Sequence, residues 1–306
     1  MAPNLDLLPG LTEDALDTLR TQGHVVVDGF LKAEHAERLL EEARAFGHSG
    51  RMPKHKFQFG NAQVEKPNIY EADMHNEALQ EELPAFADLL FDDSIAKVIA
   101  ASYPDLKLDF GPTSKTIKLQ RNAGSGGCFP CHYDNAGVPS KRAVTCVVYL
   151  NPEWQQGDGG EVVLTPFLEP EVIIPPLMNR AVFFLSDRIL HRVLPAVKER
   201  FCFSIWFDST DINRQEDCNL TAKHLSTEPE AIDFLKTSPV QRAISRSVYA
   251  EEYEVSLREC MAHSPAAEAM LQAHMQQVVG QRKNPQLGPF LEHLRSLKPR
   301  ELRAIS

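Results

Sequence analysis

Within Cys131-His132-Tyr133-Asp134-Asn135 a histidine and an aspartate stand two residues apart, and His191 follows well downstream with Arg200 nine residues after it. Two imidazoles and one carboxylate on one face of an iron leave three positions open, the arrangement a non-haem Fe(II) oxygenase needs to bind and activate O₂. In an extended strand residues i and i+2 point to the same face, so His132 and Asp134 can reach one metal, and a third ligand must come from a distant strand. Arg200 opens the apolar run Phe201-Cys202-Phe203-Ser204-Ile205-Trp206-Phe207, which has strand character. A guanidinium there can pair in bidentate fashion with a dicarboxylate, as an anchor for 2-oxoglutarate must. Each part alone is weak, because a chain with 11 histidines meets an H-x-D by chance and a lone Arg opening a strand is ordinarily a surface charge. The conjunction carries the chemistry.

The elements that must position these residues can be read from pattern. Thr12 caps a helix that runs to Thr21 and stops at Gly23, and residues 24–30 read as a strand. Ala36, Leu39, Leu40, Ala43 and Phe46 recur at helical spacing. From His48 to Asn76 the pattern is polar and irregular and predicts a long loop, in which the basic run Arg51 to Lys56 is either solvated surface or a recruiter of an acidic substrate. Helices over 77–91 and 94–101 complete the N-terminal part. Strands follow at 113–120 and 142–151, the second placing Thr145 and Tyr149 on one face and Cys146, Val148 and Leu150 on the other. By the same rule Arg200, Cys202, Ser204 and Trp206 share a face. Trp206 reads as core more readily than as a pocket wall, and Tyr149 as a core aromatic. Gly157-Asp158-Gly159-Gly160 is a hairpin-type turn without chemistry of its own. After Asp208 the chain turns charged and helical, over 229–235, 240–277 and 289–297, with breaks at Pro265 and around 280–285.

The stretch from Lys115 to Asp208 resembles the catalytic core of Fe(II)/2-oxoglutarate-dependent dioxygenases of prolyl 4-hydroxylase type. His132-Tyr133-Asp134-Asn135, Val144 to Asn151, Gly159-Gly160-Glu161 and Phe183 to Arg188 leading into His191 carry the resemblance, in the family's order and spacing. It implies an α+β fold: a double-stranded β-helix (jelly-roll) core over 111–210, N-terminal helices and strands over 1–110 supporting it, and a C-terminal helical extension over 211–306. It further implies a metal triad of His132, Asp134 and His191, with Arg200 binding the distal carboxylate of 2-oxoglutarate and Tyr149 assisting. Cofactors would be Fe(II), 2-oxoglutarate and O₂, with ascorbate as an optional reductant. The reaction would be hydroxylation of a prolyl residue in a protein or peptide, giving succinate and CO₂. The same chemistry on a small molecule, or an inactive interaction protein on this fold, are the alternatives. One departure stands out: the oxygen-sensing branch of the family has a tyrosine ten residues before the first ligand His, where this chain has Asn122.

Composition sets limits. The 306 residues are 43% hydrophobic and 24% charged, ordinary for a globular protein. A net charge of −10 makes nucleic acid a poor partner, since that binding neutralises phosphates with a basic surface. No stretch approaches the ~20 apolar residues of a membrane span, and the N-terminus carries no export pattern. These features predict a cytoplasmic or nuclear protein without a membrane partner, with the C-terminal helices packing on the barrel or forming a homodimer. Its six cysteines are then expected as reduced thiols. Cys128-Phe129-Pro130-Cys131-His132 matches the c-type haem attachment pattern, but that reading spends His132 and leaves Asp134, His191 and Arg200 unexplained. A redox pair of Cys128 and Cys131 beside the iron ligand, or two unrelated thiols, remain open.

Overall fold

The computed structural model describes residues 8–211, 219–262, 264–299 and 302–305. The N-terminal part begins with α1 (Glu13–Gln22), which starts where Thr12 accepts a hydrogen bond from the Ala15 amide and stops at Gly23 in the left-handed region. Strand β1 (His24–Val27) and helix α2 (Ala33–His48) follow. The expected loop over 48–76 is instead a hairpin of β2 (Lys54–Phe59) and β3 (Ala62–Asp73), closed through Phe59↔Ala62. The single helix expected over 77–91 divides into α3 (Glu77–Glu82) and α4 (Pro84–Phe91). Pro84 opens α4 and lifts Leu83 out of helical geometry, as a proline does to the residue before it. Helix α5 (Ser94–Ser102) ends this part.

Two antiparallel sheets follow, built from β4 (Lys115–Asn122), β5 (Gly127–His132), β6 (Arg142–Tyr149), β7 (Val162–Thr165), β8 (Glu171–Ile174), β9 (Ala181–Leu185), β10 (Leu190–Ala196) and β11 (Arg200–Asp208). The large sheet has the order β1-β9-β6-β11-β4-β3-β2, so β1, β2 and β3 extend the barrel sheet on both sides. The small sheet has the order β8-β7-β10-β5, with β12 (Leu302–Ala304) pairing in parallel beyond β8. These facing sheets form the jelly-roll core.

Period two sorts the side chains as expected. Cys146 and Val148 of β6, Phe201, Phe203, Ile205 and Phe207 of β11 and Ile117 and Leu119 of β4 face the helices α1 to α5 in one continuous apolar core. The opposite faces of the same strands look across to the small sheet. That interior is the cavity described below.

The C-terminal helices are α6 (Pro229–Thr237), α7 (Arg242–Val248), α8 (Ala250–Met261), α9 (Ala267–Lys283) and α10 (Leu287–Ser296). The expected run over 240–277 breaks once more than anticipated, at Tyr249, whose hydroxyl accepts a hydrogen bond from the Leu168 amide of the barrel. Ile244, Tyr253 and Leu291 cover Phe167 and Leu190, so the extension packs on the outside of the small sheet. Among the described residues no helix is long and apolar enough to cross a membrane.

The cysteines depart from expectation. Cys128 of β5 is bonded to Cys260 of α8, with a Cα–Cα separation of 5.3 Å, so the protein does not carry only reduced thiols. The Cys128/Cys131 pairing is also excluded. Cys128 is taken up by Cys260, and Cys131 lies buried as a free thiol against the C-terminal helices. Cys146 and Cys202 are likewise free and buried, and Cys218 lies outside the described residues.

Candidate active site

His132 closes β5 and Asp134 sits in the bend just beyond it, so the carboxylate is not within the strand as the i, i+2 argument assumed. The convergence is nevertheless achieved. His191 on β10 is the direct cross-strand partner of His132, and ligand atoms of the three residues all lie within 4.8 Å of one another. Asp134 Oδ1 is 3.5 Å from His132 Nε2 and 3.7 Å from His191 Nε2.

The neighbours of the three side chains hold them in that pose. His132 Nδ1 lies 2.8 Å from the Pro130 carbonyl and His191 Nδ1 3.2 Å from the Ile189 carbonyl, which places the ring proton on Nδ1 and leaves both Nε2 lone pairs facing inward. On the other carboxylate oxygen, Thr145 Oγ1 donates to Asp134 Oδ2 at 2.7 Å and Trp206 Nε1 donates at 2.9 Å. Oδ1 is thereby turned toward the imidazoles. Burial and then the neighbouring His132 push His191 down to about 4, so it stands neutral at neutral pH. For Asp134 burial alone would raise the carboxyl, but the neighbouring His191 and His132 and the Trp206 hydrogen bond outweigh it and keep the group ionised.

Across a cavity of about 390 Å³ stand Tyr149 and Arg200, both on the large sheet. Arg200 is 3% exposed, and its Nε and Nη1 atoms are buried without a hydrogen-bond partner. Two orphaned donors on one buried guanidinium call for an anionic ligand, because leaving them unmet is costly. The Arg200 guanidinium lies 5.5 Å from the centre of the Tyr149 ring, whose hydroxyl burial pushes up and keeps protonated. Gly160 makes this possible: at φ +79° a Cβ there would lie 2.7 Å from Arg200 Cδ. The turn read as having no chemistry makes room for the Arg200 side chain.

Two residues are placed differently from the sequence reading. Trp206, taken as core, lines the cavity and bonds to Asp134. Its position on the Arg200 face was the available signal. Asn122 does not reach the cavity, because its side chain donates to the Gly127 carbonyl at 2.8 Å and accepts from the Gly124 amide at 3.1 Å, closing the turn between β4 and β5. The cavity-side positions of β4 are Lys118 and Gln120. The basic run 51–56 is occupied with acids: Arg51 pairs with Glu82, Lys54 and Lys56 with Glu65, and His55 with Glu71.

Comparison with known proteins agrees with this geometry. The family model for the 2OG-Fe(II) oxygenase superfamily matches residues 117–208. A crystal structure of a prolyl 4-hydroxylase from Phytophthora capsici is 38% identical, covering 97% of this chain and 96% of its own, with a TM-score of 0.83. The hypoxia-inducible factor prolyl hydroxylase of Caenorhabditis elegans is 30% identical over 209 residues, which are 64% of this chain and 28% of the nematode protein. The chain therefore spans little more than a quarter of that relative. A Trichoplax adhaerens prolyl hydroxylase, solved with a hypoxia inducible factor oxygen degradation domain peptide, shares the fold at 23% identity and a TM-score of 0.55, over 64% of this chain and 87% of its own.

Proposed function

Because the chain belongs to the 2-oxoglutarate–Fe(II) oxygenase superfamily, and within it to the prolyl 4-hydroxylase type, we propose that it hydroxylates prolyl residues of a protein or peptide, consuming 2-oxoglutarate and O₂ and yielding succinate and CO₂. The observation that carries this reading is the pairing of two features in one cavity: three converging ligand atoms on one wall and the orphaned guanidinium donors of Arg200 on another. The donor set, two neutral imidazoles and a carboxylate, suits Fe(II).

In this reading His132 Nε2, His191 Nε2 and Asp134 Oδ1 hold the metal. Arg200 takes the distal carboxylate of 2-oxoglutarate, with Tyr149 beside it. A bound iron supplies the oxidative decarboxylation of 2-oxoglutarate and the delivery of oxygen to a C–H bond. The protein supplies position. Thr145 and Trp206 fix the Asp134 carboxylate, and the Pro130 and Ile189 carbonyls fix the imidazole tautomers. Val147, Val162 and Val193 wall the cavity and exclude water. His191 is 7% exposed whereas His132 is 38% exposed, so the peptide approaches from the His132 side and the co-substrate lies deeper. Similarity over nearly the whole chain to a prolyl 4-hydroxylase, and the protein substrate named for the nematode relative, favour a peptide over a small molecule.

The test is anaerobic titration of Fe(II)-loaded protein with 2-oxoglutarate, reading the visible metal-to-ligand charge-transfer band. The band is expected in the wild type, absent in His191→Ala, and shifted to far higher 2-oxoglutarate in Arg200→Ala. No band with iron bound would overturn the assignment.

A further inference from the structure

Five lysine and arginine side chains line the cavity: Lys66, Lys118, Arg142, Arg200 and Arg246. Four are accounted for. Lys118 pairs with Glu71 at 2.7 Å, Arg142 stacks 4.1 Å over the Trp206 ring, Arg246 lies 4.5 Å over the Tyr253 ring, and Arg200 is assigned above to 2-oxoglutarate. Lys66 is different. It is 6% exposed, and among the described residues it has neither a hydrogen-bond nor an ion-pair partner. Its ammonium rests 3.5 Å from the centre of the Phe129 ring and 5.5 Å from that of Phe57. Ring faces return only part of what it costs to take an ammonium out of water, and Glu71, the carboxylate whose charge acts on it, is already paired with His55 and Lys118.

This placement is built by the backbone. From Lys54↔Tyr70 to Lys56↔Glu65, β2 advances two residues while β3 advances five, so residues 66–69 bulge out of the ladder. Bulges re-aim side chains near active sites. Asn68, at φ 60°, pins the bulge by donating to the Ser125 carbonyl at 2.9 Å. Phe57, Phe59 and Val64 of the hairpin pack on Met261 and Met270 of the C-terminal helices beside the Cys128–Cys260 bond. The hairpin is thereby fixed over the cavity mouth. Phe129, under the ammonium, has its ring 6.2 Å from that of His132, the more exposed of the two imidazoles.

We propose that Lys66 is a specificity-determining residue that receives a carboxylate of the substrate, so that the protein selects peptides with an acidic residue close to the target proline. This rests on the prolyl reading above and extends it. Burial brings the Lys66 ammonium down to about 7, and a carboxylate arriving opposite it would hold it charged. Such pairing discriminates strongly between peptides, because a partner lacking the charge leaves the lysine buried and unpaired.

The test uses two decapeptides with blocked termini, one proline each, flanked on both sides by glutamate in one and by glutamine in the other. Their binding to protein loaded with Mn(II) and 2-oxoglutarate is measured by calorimetry for the wild type, Lys66→Met and Lys66→Arg. The wild type is expected to bind the glutamate peptide at least about tenfold more tightly, Lys66→Met to bind both alike, and Lys66→Arg to keep the preference. Equal or absent binding of the two peptides by the wild type, or a preference that survives Lys66→Met, would overturn the proposal. If Lys66→Met does not fold, as judged by lost 2-oxoglutarate binding, Lys66→Gln takes its place under the same criteria. Hydroxylation is scored separately: a glutamate peptide bound through Lys66 but not hydroxylated counts against the prolyl reading and leaves the carboxylate anchor standing.

Discussion

Asp134 is held by two donors on one oxygen and offers the other to the cavity, which makes Thr145 and Trp206 as much a part of the site as the ligands themselves. Trp206→Phe keeps an aromatic ring and removes the bond to Asp134. Loss of such a supporting hydrogen bond to a ligand costs about 10- to 100-fold in metal affinity, and a competitive chelator titration of the variant is expected to show a loss in that range. Unchanged affinity would reduce Trp206 to a wall. The grouping of His132, Asp134 and His191 was legible in the sequence because residue type and close spacing are local signals, whereas a role for Tyr149 came only from the family resemblance. The contact of Trp206 with Asp134 was not, since β11 and β5 belong to different sheets and only the packing of one on the other brings them together. Lys66 was illegible for another reason: a bulge resets the inside–outside alternation on which such readings depend.

Among elements, the hairpin of β2 and β3 shows how polarity can mask a strand. Lys54, Lys56 and Gln58 alternate with His55, Phe57 and Phe59, and Gly60-Asn61 is a two-residue turn of hairpin type, so the signal was present and outweighed by the charges. Glu71 ties this hairpin to the barrel through His55 at 3.1 Å and Lys118 at 2.7 Å. Burial alone would raise its carboxyl, but hydrogen bonds and charges from His55 and Lys118 outweigh that and hold it at about 2. A folded-state value below the unfolded one supplies stability that is present above the ordinary value of 4.5 and is lost as pH falls toward 2. Glu71→Gln is therefore expected to lose about 2–3 kcal/mol at neutral pH and to show a flatter stability profile across that acid window. Chemical denaturation at several pH values measures it, and parallel profiles for the two proteins would count against the network.

For the whole molecule, the two sheets draw in strands from both ends of the chain: β1, β2 and β3 join the large sheet, and β12 joins the small one. Individual helices and strands were readable because strand period and helix caps are local, and the jelly-roll came from the family resemblance, whereas the crosslink from Cys128 to Cys260 spans 132 residues and follows only from how α8 lies on β5. A bond closing so long a loop contributes about 2–5 kcal/mol. Cys260→Ser is expected to lose that much unfolding free energy in denaturant titration, and reductant should do the same to the wild type while leaving the variant unaffected. A second link can form at the other end of the same strand. β5 is the outer strand of the small sheet, its ladder with β10 slips register twice between His191 and Ala196, and His132 faces His191 directly across it. A metal held by both imidazoles would clamp the two strands in phase where the backbone ladder is least regular. Amide exchange over 127–132 and 190–196 should then slow sharply when Mn(II) is added to metal-free protein, while β1 and β9 change little. In that case coordination chemistry also sets the local opening rate of the sheet edge that carries it.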